Sequence, residues 1–143
     1  MSDRAFQFWQ RWLVAAGVFF VAFGGVVAVW PDAPFLAMWS AAVADRFYGG
    51  AEPAQAAAFR RFVMGPLGGT IAGSYVLNTL VAAIPFARRE RWALAGSLCV
   101  WFAVDSAVSV SHGAVFNVWM INAVPLLVFG VPLAATWPAF RAR

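Results

Sequence analysis

The chain has no lysine, one cysteine and one histidine among its 143 residues, and charged side chains make up only 11% of it. Each shortage excludes something. A single cysteine, Cys99, cannot form a disulfide within the chain, and inside an apolar run it reads as a packing residue. A single histidine, His112, excludes a bis-histidine haem. Asp105 and His112 together still fall short of the ligand set of a zinc site, so no metal centre is expected. Neither a Cys-x-x-Cys-His nor a Gly-x-Ser-x-Gly motif occurs. The shortage of charge is the most informative. A soluble domain carries about 25% charged and about 45–50% apolar residues, whereas this chain is 63% hydrophobic with a mean hydropathy of +0.75. It reads as one integral membrane domain, residues 1–143, with no room for a separate soluble catalytic unit.

The absence of lysine makes all ten basic residues arginine, and they give a net charge of +4. Nucleic acid is not the implied partner. Arginines that border apolar runs mark the cytoplasmic side of a membrane and meet anionic headgroups.

The spacing predicts an all-α membrane protein, a four-span up-down-up-down bundle. Its spans cover about residues 13–30, 63–86, 92–111 and 115–136. Trp12 and Trp30 bracket the first span 18 residues apart, about 27 Å of helix and close to the hydrocarbon thickness. That run is longer than a signal-peptide core and ends in Trp30-Pro31 rather than a cleavage site, so no cleaved leader is expected. Phe35, Trp39 and Val43 recur every four residues, which predicts a short amphipathic helix over about 34–48 lying on the membrane surface. Gly65, Gly69 and Gly73 are four apart on the second span and predict a stripe for close helix packing, within the chain or between chains. Arg4, Arg11, Arg88, Arg89, Arg91, Arg141 and Arg143 fall on one side, and Arg46, Arg60 and Arg61 on the other. That asymmetry predicts a multi-pass protein of the bacterial inner membrane with both termini cytoplasmic.

The chemistry concentrates between Trp101 and Asn122. Asp105 is the one acid deep inside an apolar run, six residues before Ser111 and so about 9 Å below the outer boundary. An acid there costs about 2.5–3.5 kcal/mol on insertion scales and needs a partner, water or a proton. Trp101, Asp105, Ser109 and His112 share a helix face; Thr70 and Ser74 pass at similar depth; Arg60 and Arg61 are candidate ion-pair partners for Asp105. Asn117 and Asn122 lie five apart, about 140° around an α-helix, and are expected to face different neighbours.

Three readings of Asp105 follow. It ties helices together, it anchors an outward-facing polar pocket with His112, Ser109, Thr70, Ser74, Asn117 and Trp101, or it lies on a proton path. Ser106, Ser109 and Ser111 alternate along one helix and so do not converge on one base, which argues against a hydrolytic triad. No cofactor is expected; a haem or chlorophyll-type pigment held by His112 alone is the one cofactor chemistry left open. The expected role is that of a non-enzymatic accessory or scaffold subunit, or a self-associating bundle, whose partners are membrane lipids and other membrane subunits or its own copies. The alternative is a small-molecule or lipid-binding protein or transporter built on the pocket.

Overall fold

The computed structural model describes residues 1–95 and 99–141, without the side chains of residues 95, 99–101 and 103. Ser97, Arg143 and the side chains of Trp101 and Cys99 therefore lie outside the described residues. The fold is all-helical, with no strand among the described residues. Helix α1 spans Asp3–Val29, α2 Ala37–Tyr48 after a 3-10 turn at Pro34–Leu36, α3 Ala54–Ala83, α4 Trp92–Ala95, and α5 Cys99–Ser111. A continuous helix, α6, runs over Val115–Arg141 and contains a π segment at Val118–Asn122.

Proline sets one of these ends. Trp30 leaves the helical region (φ −136°, ψ 70°) before Pro31, as the clash between a proline ring and the preceding residue requires, while α3 stops at Ala83, two residues before Pro85. Helix α1 begins at Ser2, whose hydroxyl accepts the Ala5 N–H at 3.3 Å.

Among the described residues, two helices rather than the expected four are long and apolar enough to cross a membrane: α1 and α6. Helix α3 has 30 residues, so it falls short in hydropathy rather than in length. Gly65, Gly68, Gly69, Gly73, Pro66 and Asn78 dilute its aliphatic content. The third apolar run appears as two described pieces, α4 and α5, of 4 and 13 residues.

Helix α1 runs antiparallel to α3 and to α6. Phe6 stacks on Phe86 at 5.5 Å and meets Phe140 at 6.0 Å, while Phe20 stacks on Tyr75 at 4.7 Å and meets Phe129 at 5.7 Å. These rings, with Leu13, Ala82, Ala93 and Phe102, form the main core. The N-terminus, the 84–91 loop and the end of α6 thus share one end of the molecule. The 31–53 segment and the α5–α6 turn share the other.

Within the chain, the α1–α3 crossing does not use the Gly65, Gly69 and Gly73 stripe. A Cβ on Gly24 would lie 2.6 Å from the Ala72 nitrogen and 2.8 Å from the Gly68 oxygen, and one on Gly68 would lie 2.5 Å from the Gly24 oxygen. Gly69 and Gly73 face open space, and Gly65 only grazes the Ala28 oxygen at 4.0 Å. Each residue turns a helix by about 100°, so Gly68 and Gly69 cannot share a face. The close approach uses Gly68 against Gly24, with Gly17 against Thr79 further along.

Candidate functional site: a polar network between α2, α5 and α6

Asp105 lies two turns before the end of α5, half-buried, and one of its oxygens is the hub of a network. Asp105 Oδ2 accepts Asn122 Nδ2 at 2.7 Å and Asn117 Nδ2 at 3.2 Å. The second proton of each amide goes to a serine on α5: Asn122 to Ser106 Oγ at 2.9 Å, Asn117 to Ser109 Oγ at 2.8 Å. Asn117 Oδ1 in turn accepts the Trp39 indole N–H from α2 at 2.9 Å. Three helices are therefore joined through five side-chain hydrogen bonds.

The two asparagines converge because the backbone between them is not α-helical. Val118–Asn122 is a π turn, closed by the Ala123 N–H donating to the Val118 carbonyl five residues back. A π turn holds more residues than an α turn, so positions five apart come closer to one face, and Asn117 and Asn122 reach the same carboxylate. This corrects the 140° separation expected of an α-helix. Pro125 supplies a local reason. A proline ring inside a helix presses on the carbonyl four residues earlier, here Ile121, and a widened turn relieves that pressure.

The α5–α6 turn is a Schellman motif. Gly113 takes φ +67°, Ala114 N–H donates to Ser109 O at 2.8 Å, and Gly113 N–H to Val110 O at 2.9 Å. The carbonyls of His112 and Gly113 point outward and accept Arg46 Nη2 at 3.0 Å and Nε at 2.9 Å. A cation at a helix C-terminus also complements the macrodipole. Helix α2 thus holds the hairpin twice, through Trp39 inside and Arg46 at the rim.

Several expected members of the site stand elsewhere. Arg60 and Arg61 do not pair with Asp105. Arg60 Nε binds Glu52 at 3.1 Å, its Nη2 lies 3.4 Å from Asp32, and Arg61 Nε binds Asp32 at 2.7 Å. Both sit at the start of α3, within reach of carboxylates in the preceding segment. Burial works against the Arg60 charge, but the hydrogen bond and attraction to Glu52, with help from Asp32, prevail and raise its pKa. Thr70 is exposed and donates to Pro66 O of its own helix at 2.9 Å. Ser74 is on the same helix, half-buried. His112 is exposed, with Nδ1 3.0 Å from Val108 O and 3.1 Å from Ser111 Oγ, so the ring leans on its own helix. The sequence-predicted set brought together is Asp105, Ser109 and Asn117. Sequence reasoning missed Trp39, Arg46 and Ser106. The amphipathic reading of α2 placed Trp39 on its apolar face but gave no reason to aim its N–H at Asn117.

Each asparagine donates both of its amide protons inside the network. Asn122 is 0% exposed, and its Oδ1 is buried without a partner. Among the described residues no group of three or more histidine, cysteine or acidic side chains converges as a metal site. No protein-family model, curated protein or solved structure matches the chain.

Proposed function

We propose that this protein is a non-enzymatic, multi-pass membrane protein, a four-crossing up-down-up-down bundle with α2 lying at the surface. It serves as an accessory or scaffold subunit of an inner-membrane assembly or of its own oligomer. One observation carries the reading: the two most apolar helices keep their apolar surface outward. Only 28% of the apolar window of α1 and 22% of that of α6 is buried within the chain. A core helix of a soluble protein would be mostly enclosed. Phe19, Val29, Leu127 and Trp119 stand exposed, which suits acyl chains or a partner subunit. The grouping of Arg4, Arg11, Arg88, Arg89 and Arg141 at one end, with Arg46, Arg60 and Arg61 at the other, supports cytoplasmic termini. The mutual saturation of the amide protons around Asp105 supports a tie rather than a catalytic group.

Alkaline carbonate extraction tests membrane integration: the protein should stay in the pellet, and its release into the supernatant overturns the proposal. Gentle solubilisation should then yield a stoichiometric partner or a self-oligomer. A strictly monomeric, partner-free protein removes the scaffold role. The second reading, a small-molecule or lipid-binding protein centred on Asp105, has the unpartnered Asn122 Oδ1 in its favour. Under it, Asp105→Asn abolishes ligand binding while the protein still accumulates.

A further inference from the structure

The cytoplasm-side arginines differ in what they touch. Arg89 is paired with Asp3 and lies over the Phe6 ring, and Arg141 lies over Trp137. Among the described residues, Arg4 and Arg11 have no hydrogen bond, ion pair or ring partner. They are seven residues apart on α1, two turns along one face. Between and below them lie Gln7, Phe8, Trp12 and Ala15, and the six residues line one shallow concavity of about 450 Å³.

Its chemistry is graded along the helix. Arg4, Gln7 and Phe8 stand nearest the N-terminus, Arg11 and the Trp12 indole follow at nearly one level, and the Ala15 methyl stands deepest. The indole is fixed in place. Pro132 has no N–H, so the Val128 carbonyl four residues earlier loses its helical donor; Trp12 Nε1 donates to that carbonyl at 3.0 Å. The ring therefore forms a preset wall between α1 and α6 rather than a mobile surface side chain.

We propose that this concavity binds the headgroup of an anionic phospholipid, with Arg4 and Arg11 on the phosphate, Gln7 beside them, and the first acyl carbons against Trp12 and Ala15. The inference rests on the membrane reading above and deepens it. Charge complementarity selects the occupant: two unpaired guanidiniums match one phosphodiester, and an arginine fork binds phosphate bidentately. The apolar lower wall selects a lipid over a free anion.

The test is thermal unfolding of the detergent-solubilised protein titrated with phosphatidylglycerol, phosphatidylcholine or inorganic phosphate. Phosphatidylglycerol should raise the unfolding temperature saturably, and the other two should not. Removing one arginine near an anionic lipid should weaken apparent affinity roughly fivefold. Arg4→Gln with Arg11→Gln should therefore move half-saturation by more than tenfold. Arg4→Lys with Arg11→Lys should fall between, because the charges remain and the forks do not. Arg61→Gln, at the opposite end, should titrate as the unaltered protein does. A glutamine variant that saturates normally overturns the site, as does an equal response to phosphatidylcholine or to inorganic phosphate. Carbonate extraction of the same variants separates loss of this site from failure of the membrane reading.

Discussion

Replacing Asp105 with alanine removes the one acceptor on α5 that both asparagines of α6 share. Two N–H···O bonds disappear, from Asn122 at 2.7 Å and Asn117 at 3.2 Å. Their costs are unequal. Asn122 is 0% exposed, so its freed proton meets no water, and a buried unsatisfied donor costs about 1–3 kcal/mol. Asn117 is half-buried, and hydration reclaims part of its loss. Interhelical hydrogen bonds in membrane bundles average about 0.6 kcal/mol with a ceiling near about 1.7 kcal/mol, which pulls the total to about 2 kcal/mol. Asp105→Asn keeps one carbonyl oxygen for both amides and should cost well under about 1 kcal/mol on the same scale. The measurement is unfolding in detergent followed by circular dichroism, as a cycle of Asp105→Ala, Asn122→Ala and the double variant. The two single changes remove the same bond, so the double should fall short of their sum by about 0.5–1.5 kcal/mol. Strict additivity, or an alanine variant as stable as the parent, refutes the tie.

Other perturbations probe the rest of the frame. Gly24→Ala and Gly68→Ala force a methyl into backbone at the α1–α3 crossing and should each cost about 1–3 kcal/mol. Gly69→Ala points outward and should be neutral or stabilise by up to about 1 kcal/mol; equal effects at positions 68 and 69 in thermal unfolding would contradict the crossing. Arg46→Ala uncaps the two turn carbonyls and should lower stability by about 0.5–1.5 kcal/mol, with faster cleavage of the hairpin in limited proteolysis. Trp12→Phe leaves the Val128 carbonyl without its donor, and adding Pro132→Ala restores a helical N–H, so the double variant should recover part of the lost unfolding temperature.

The helices were legible because their ends are written in proline and glycine and their interiors in long apolar runs. Trp30-Pro31, Gly49 and His112-Gly113 each stand where a helix stops. The site was legible in its centre and not in its reach. An acid in an apolar run must find donors, so Asp105 identified itself. Its donors did not, because ideal α geometry sends Asn117 and Asn122 apart, and only a π turn unites them. Pro125 is the local signal, since the residues before a helical proline are where a wider turn relaxes its ring. The arginines at the start of α3 misled in the opposite way. Their length put Asp105 within imagined reach, but Asp32 and Glu52 lie closer along the chain, and an ion pair forms with the nearest carboxylate that needs no descent into an apolar layer. Four glycines within nine residues of α3 (65, 68, 69, 73) made the regular four-residue stripe conspicuous. The odd member, Gly68, made the contact.

These particulars divide the molecule into two kinds of adhesion. Helices α1 and α3 are held by shape: glycine backbones in contact, with aromatic rings stacked along the seam. Most of the attraction there is dispersion, beside one hydrogen bond from Gln10 Nε2 to the Ala82 carbonyl at 3.1 Å, and backbones already in contact repel an added methyl, so that pair tolerates little added volume. The α5–α6 hairpin and α2 are held by direction instead. Hydrogen bonds from Asn117, Asn122, Trp39 and Arg46 fix orientation there. Polar ties therefore belong where α2, the shortest of the helices joined by the network, meets the hairpin through Trp39 and Arg46. Close packing suffices where two helices of 27 and 30 residues lie side by side.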